Sequence, residues 1–452
     1  MLFERVQSEG LSHYSYLIGD GAQALVIDPR RDVQAYIDIA TRAGMRITHI
    51  LETHRNEDYV VGSLELAADT GATVLHSAED SLEYGYGESI QDGETITVGR
   101  LVVRALHTPG HTRGHMSYLL HDPDGEPWVV FTGDALFAGD VGRTDFYGQD
   151  HLAEMTGLLY DSLFHKILPL GDELIVCPAH GAGSACGTAI AERPWTTVGL
   201  EREHNPMLQY TDRESFVGNV GKMLEYPPYF EMMEVLNLQG PPLVRAPSHV
   251  SPLRPLEFAA RATGAQVVDT RMETGFAAAH VPGALSIPGP RLSSFAGWFV
   301  SYDTPILLVT EADDVGTPAR ALYRMGYDNL AGFLAGGMHS WHTAGLASDR
   351  TETVTVQELC AILDAGEEPW ILDIRSEAEV ERREIPTAHH LHLTQLPERM
   401  DEVTETEPVY VFCGSGIRSM IAASLLRRSG YDGATVVLGG LAGWSSVTCP
   451  LE

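Results

Sequence analysis

Leu51-Glu-Thr-His-Arg-Asn-Glu-Asp-Tyr59 is the stretch around which the chain is organised. The apolar, β-branched run Ile47-Thr-His-Ile-Leu51 precedes it and reads as a strand, so His54 falls at a strand's C-terminal edge. Two later stretches have the same form. His107-Thr-Pro-Gly-His111-Thr-Arg-Gly-His115 and Val129-Val-Phe-Thr-Gly-Asp134 each place a His or Asp after a strand-like run and a tight glycine turn. Side chains from distant segments thereby reach one rim. Two imidazoles (His54, His111) and one carboxylate (Asp134), with open positions opposite, suit a single non-haem Fe(II) that must also bind substrate and O₂.

The flanking segments alternate strand and helix signals. Ser12–Ile18 and Ala24–Asp28 read as two strands, Asp32–Ala43 as a helix with Gly44 as its C-cap, and Ser63–Thr70 as a helix behind the metal loop. Thr95–Ala105 reads as a hairpin leading into the His107–His115 loop. Ser117–Leu120 and Trp128–Phe131 read as strands, and Gly171–His180 as the last strand of the unit. This pattern fits an α/β architecture, an αββα sandwich with the site at one sheet edge.

Thr53-His54-Arg55-Asn56-Glu57-Asp58-Tyr59 resembles the T-H-x-H-x-D-H signature of the metallo-β-lactamase fold, and Gly110-His111, Thr132-Gly-Asp134 and Pro178-Ala-His180 follow in that family's order. Two signature histidines are replaced, by Asn56 and Tyr59. In the hydrolases of this fold, such as glyoxalase II, those histidines hold a metal pair. A neutral amide is a poor substitute ligand, and a phenol of pKa about 10 is seldom ionised near neutrality. The positions matching His54, His111 and Asp134 are the three iron ligands of the persulfide dioxygenases of the same fold, so the resemblance implies one Fe(II) per chain. It also implies that His180 supports the iron site without binding the metal.

Other residues near the site keep two readings each. Asp58 either orients the site through hydrogen bonds or completes a second metal position with Asp134 and His180. Arg143, in Gly142-Arg-Thr-Asp145, either meets an anionic thiol substrate or forms a structural Arg–Asp pair. Cys186, in a glycine-rich turn, either captures a sulfane sulfur from a mobile loop or is a small buried residue. His107 and His115 are expected to shape their loop by hydrogen bonding.

Beyond a helical segment over residues 190–245 lies an internal repeat. Val267-Val-Asp269-Thr-Arg271 recurs as Ile371-Leu-Asp373-Ile-Arg375, and Val281-Pro-Gly-Ala recurs as Ile385-Pro-Thr-Ala. Leu334-Ala-Gly-Gly-Met-His-Ser-Trp341 recurs as Leu438-Gly-Gly-Leu-Ala-Gly-Trp444, and the offsets of the three pairs are 104, 104 and 103 residues. Both copies resemble rhodanese domains. The expected organisation is residues 1–245, a dioxygenase domain with helical extension, then 246–350 and 351–452, two tandem α/β rhodanese-like domains.

The copies differ where chemistry would occur. Val409-Tyr-Val-Phe412 runs into Cys413-Gly-Ser-Gly-Ile-Arg418, and a helix is expected from about Ser419 to Arg428. A loop through Gly414, Ser415, Gly416 and Ile417 wraps backbone N–H groups around the cysteine sulfur at a helix N-terminus, favouring a thiolate and then a persulfide. Six residues from Cys413 to Arg418 suit sulfur, whereas the tyrosine-phosphatase pattern has one more. The first copy carries Thr310-Glu-Ala-Asp-Asp-Val315 there, without a thiol and with three carboxylates that repel anionic sulfur, so it is expected to be inactive.

The formal charge is 30 − 62 = −32, which argues against nucleic acid or an anionic membrane as partner. No run of about 18 apolar residues marks a membrane span, and the first residues lack a signal-peptide pattern. Five scattered cysteines without a C-x-x-C pair do not make a disulfide framework; Cys360 and Cys449 have no motif around them. The expected location is the cytoplasm.

The resemblance as a whole is to bacterial fusions of persulfide dioxygenase with an inactive and an active rhodanese domain, serving sulfide detoxification. It implies oxidation of a low-molecular-weight thiol persulfide, of glutathione, coenzyme A or similar, by O₂ to sulfite. Cys413 then passes a sulfane sulfur to sulfite, giving thiosulfate, with Cys413 and Arg418 as the catalytic residues the resemblance implies. Homo-oligomerisation through the sandwich domain is a family-level expectation. Two alternatives stay open: a glyoxalase II-like thioester hydrolase with rhodanese appendages, holding two zinc ions, and a metal domain that merely scaffolds a sulfurtransferase.

Overall fold

Strands covered on both faces read as continuous apolar runs, and Ala24-Leu-Val-Ile27 is such a run. In the computed structural model, which describes residues 1–187, 189–244, 250–311, 314–385, 387–404 and 408–444, Leu25 and Ile27 pack between two sheets, while Ala24 and Val26 pack outward under helices. The expected boundary near residue 245, Asp313, Pro386 and Cys449 lie outside the described residues.

The chain packs as two compact units, Met1–Ser248 with Tyr323–Gly326, and His249–Leu322 with Tyr327–Glu452. In the first, one sheet holds β1 (Leu2–Ser8), β2 (His13–Asp20), β3 (Gln23–Ile27), β4 (Arg46–Leu51), β5 (Thr73–Ser77) and β6 (Glu88–Ile90) in that spatial order. The other holds β7 (Thr95–Val98), β8 (Leu101–His107), β9 (Met116–His121), β10 (Pro127–Gly133), β11 (Ile175–Pro178) and β12 (Thr196–Thr197), also in sequence order. Tyr16, Ile18 and Leu51 of the first sheet meet Val103, Tyr118 and Phe131 of the second in a shared core. Helices Gln34–Arg42 and Ser63–Thr70 cover the first sheet's outer face, and helix Gln149–Ser162 covers the second's. The αββα sandwich is the expected one.

Register explains why the site residues meet. β3 and β4 run parallel with Ile27 opposite Leu51, so Asp28 emerges beside the segment that carries Thr53 and His54. β10 and β11 run parallel with Gly133 opposite Pro178, so Asp134 and His180 emerge side by side. The β8–β9 hairpin, with His107 opposite Met116, turns at the same edge and presents His111. Parallel pairing sends successive strand ends to one edge of a sheet.

Ile175–Pro178 is not the last strand of the unit, because Thr196–Thr197 adds one antiparallel step beyond it. Two residues are too few for a period-two signal. β1, β5 and β6 were likewise not expected; β1 mixes Glu4, Arg5 and Gln7 among its apolar residues, which hides its alternation. Residues 190–244 carry the helices Val198–His204, Arg213–Val220 and Tyr229–Gln239.

The second unit contains two five-stranded, all-parallel sheets. β13 (Pro252–Leu253), β14 (Gln266–Asp269), β15 (Leu285–Ser286), β16 (Ile306–Val309) and β17 (Leu330–Leu334) take the spatial order β13-β17-β16-β14-β15. β18 (Glu352–Thr355), β19 (Trp370–Asp373), β20 (Ala388–His390), β21 (Val409–Phe412) and β22 (Ala434–Leu438) repeat it as β18-β22-β21-β19-β20. The repeated Asp-x-Arg is a buried ion pair in both copies, Arg271 on Asp269 and Arg375 on Asp373.

Candidate functional site

His54, His111 and Asp134 are all buried, and one ligand atom from each lies within 4.8 Å of the others. Hydrogen bonds set which atom each offers. Thr53 donates from its backbone N and Oγ1 to Asp28, so Oγ1 is left to accept from His54 Nδ1 at 2.8 Å. The carbonyl of Arg143 accepts from His111 Nδ1 at 2.9 Å. A carbonyl can only accept, so that nitrogen carries the proton and Nε2 keeps its lone pair. Burial also drives His54 well below its ordinary pKa, which keeps it neutral.

Asp134 offers its other oxygen. Oδ1 accepts from His180 Nδ1 at 2.8 Å, while Oδ2 stands 3.5 Å from His111 Nε2. Burial opposes its ionisation, but the neighbouring His180, His111 and His54 hold the carboxyl well below the usual range. Among the described residues, His111 Nε2 and Asp134 Oδ2 have no hydrogen-bond partner. Leaving a buried polar atom unsatisfied costs on the order of 1–3 kcal/mol, so two in contact argue for a cation between them. Neutral imidazole and carboxylate donors fit Fe(II).

The supporting residues take definite positions. His180 lies between two carboxylates, with Nε2 2.9 Å from Asp58 Oδ2. His115 accepts from the backbone N of Asp134 at 3.0 Å and bonds Thr108, and burial pushes it down to about 3, so it is a neutral brace. His107 bonds the Arg113 carbonyl across the loop. Asn56 turns its amide to the His54 carbonyl, and Tyr59 is a buried phenol that burial pushes far above its usual pKa. Of the two readings of Arg143, the geometry takes the paired one. Its guanidinium forks onto Asp145 at 2.7 and 2.8 Å and also donates to the carbonyls of Leu224 and Glu225.

Of the two readings of Cys186, the geometry takes the buried one. It is 1% exposed, and burial pushes its thiol well above the ordinary range. It clusters with Asp58 and His180, all three offering ligand atoms within 4.8 Å. Two further results were not expected. Glu57, at an unassigned position of the signature, puts its carboxylate against both imidazoles, 3.6 Å from His54 Nε2 and 3.7 Å from His111 Nε2. Cys360 is disulfide-bonded, whereas Cys177, Cys186 and Cys413 are free.

In the last repeat, Cys413 follows β21 directly and is fully buried. Its Sγ accepts from the Gly416 backbone N at 3.1 Å, and Gly416 has a φ of +104°, which glycine alone adopts readily. The helix starts at Ile417, two residues earlier than expected, and runs to Arg428. Arg418 is gripped by Glu379 through paired 2.6 Å contacts, and those hydrogen bonds hold the Glu379 carboxyl down at about 2. The turn Gly439–Gly440 clamps the loop from the other side. Gly439 donates to Ser415 O, Leu441 to Cys413 O and Ala442 to Gly414 O. Glu379 and Gly440 carry no signal as isolated letters; the recurrence of Gly-Gly in both copies was the one clue.

Comparison with known proteins agrees with this geometry. The metallo-β-lactamase superfamily model matches residues 9–180, and the rhodanese-like domain model matches 255–344 and 355–447. The persulfide dioxygenase ETHE1, mitochondrial, of Bos taurus is 30% identical over 236 residues, half of this chain and 78% of that protein. The hydroxyacylglutathione hydrolase GloC of Haemophilus influenzae is 28% identical over 214 residues, 43% of this chain and 91% of that one. A crystal structure of a metallo-β-lactamase from Staphylococcus aureus aligns with a TM-score of 0.67 at 30% identity, covering 74% of this chain and 98% of that one. The chain belongs to the metallo-β-lactamase superfamily, and it joins to that domain two C-terminal rhodanese-like domains.

Proposed function

We propose that the first unit is a mononuclear non-haem Fe(II) persulfide dioxygenase and that the last repeat is a sulfurtransferase, together serving sulfide detoxification. The observation that carries this reading is the buried His54–His111–Asp134 cluster, whose free Nε2 and Oδ2 atoms face one another while Asn56 and Tyr59 replace two ligands of a metal pair. Similarity to a persulfide dioxygenase supports it. His54, His111 and Asp134 would hold the iron, which when bound supplies the activation of O₂. Thr53, the Arg143 carbonyl and His180 orient those three side chains. The balanced reaction converts a thiol persulfide, O₂ and water into the thiol, sulfite and two protons.

In the last repeat, the Cys413 thiolate attacks the sulfane sulfur of a second persulfide, such as that of glutathione or coenzyme A, and expels the thiolate. Sulfite then attacks the terminal sulfur on Cys413, releasing thiosulfate and restoring the cysteine. The loop N–H groups hold the sulfur's charge, as the Gly416 contact illustrates.

The test is oxygen uptake by the iron-loaded full chain with glutathione persulfide. His111→Ala is expected to abolish uptake. Cys413→Ser is expected to retain it while releasing sulfite in place of thiosulfate. A thioester hydrolase is the second reading, favoured by the Asp58–His180–Cys186 cluster beside Asp134 and by similarity to a hydroxyacylglutathione hydrolase. Two zinc ions per chain and thioester cleavage without oxygen uptake would replace the first reading with the second.

A further inference from the structure

Glu57 is buried to the last atom, and both its carboxylate oxygens lack a hydrogen-bond partner among the described residues. The nearest cation, Arg55, has its Nη2 3.9 Å from Oε1 and is engaged by Glu234 at 3.0 Å. Oε2 instead sits nearly midway between the two imidazoles, 3.6 Å from His54 Nε2 and 3.7 Å from His111 Nε2. These separations are too long for hydrogen bonds. They are of the order that a shared ion produces: neighbouring ligands about 2.1 Å from a metal lie about 3.0–3.4 Å apart. Asp134 Oδ2 stands at the matching 3.5 Å from His111 Nε2.

We propose that Glu57 is a fourth protein ligand of the metal held by His54, His111 and Asp134, making a two-histidine, two-carboxylate site. The inference rests on the metal reading of that cluster. Two carboxylates neutralise a divalent ion in a buried pocket, and burying an isolated carboxylate is otherwise costly. Asn56 thus gives up its place in the signature to the residue that follows it.

The experiment uses Co(II) and Fe(II) binding by the full-length chain, with no turnover. Wild type is expected to take one ion per chain. Glu57→Gln and Glu57→Ala are expected to bind at least tenfold more weakly and to shift the visible ligand-field bands of the cobalt form. Unchanged affinity and bands in both variants would overturn the proposal. Should the variants fail to fold, anomalous diffraction from cobalt-loaded wild-type crystals decides: a Glu57 oxygen within about 2.3 Å of the ion supports ligation, and one beyond about 3 Å ends it. If wild type binds no ion at this cluster, the metal reading itself fails, which is a separate outcome.

Discussion

The two rhodanese-like repeats share strand order, strand direction and a buried Asp-x-Arg pair, yet only the second carries a cysteine after its central strand. Sheet register makes the comparison residue by residue. Asp269 lies opposite Val309 as Asp373 lies opposite Phe412, so Thr310 occupies the place of Cys413. By the same spacing Val315 stands for Arg418, and Gly275 for Glu379. The first copy holds a threonine, a valine and a glycine at the places of Cys413, Arg418 and Glu379, while the five strands are kept. A scaffold held by apolar strands does not need the chemistry mounted on one of its loops.

Removing the nucleophile gives the largest expected effect. Cys413→Ser should lower thiosulfate formation from persulfide and sulfite by more than 10³-fold, with no residual rate from the first copy. Appreciable turnover would break the distinction between the copies.

The next effect sharpens it. Gly440 and Gly337 are equivalent and have φ of +48° and +55°. A Cβ at Gly440 would collide with Cys413 O and lie 2.7 Å from Ser415 N, whereas one at Gly337 would meet Thr310 O at an ordinary 3.5 Å. Both alanine variants pay about 1–2 kcal/mol for a left-handed backbone. Gly440→Ala alone should also distort the sulfur loop and reduce sulfurtransfer about 10²-fold. Gly337→Ala should leave the sulfurtransfer rate unchanged and only lower the melting temperature.

The smallest effect concerns pH. Arg418 depresses the Glu379 carboxyl from 4.5 to about 2. A depressed folded-state value means that stabilisation is complete above the unfolded pKa, near 4.5, and is lost as pH falls through about 2. The stability difference between wild type and Glu379→Gln should therefore be constant above pH about 5 and shrink toward pH 2, as followed by denaturant unfolding. A difference that persists undiminished at low pH would show that the contact acts by packing. The first copy, with Gly275, adds nothing to this titration.

The αββα layers were legible because Ala24–Ile27, Val129–Phe131 and the segment before His54 are strongly patterned. The repeat was legible because its Asp, Pro, Gly and Trp landmarks recur at constant spacing. β12 and β1 were not, since one is two residues long and the other carries charges. At the metal cluster, His54, His111 and Asp134 stood out as the residues the signature names. Glu57 did not, because its position in that signature is unassigned and only side-chain direction gives it a role. Arg143 had two readings in sequence, and the Asp145 fork chose between them.

Local pattern alone determined much of the αββα element order, the tandem repeat and the lone thiol loop, because periodicity and turn chemistry are written in neighbouring residues, and the resemblance to a signature singled out His54, His111 and Asp134. Tertiary structure decided which nitrogen each histidine offers, where Glu57 points, that Cys186 is buried and how Gly440 clamps Cys413. Those depend on groups brought together from distant segments by parallel strand pairing, and no short-range pattern records that meeting.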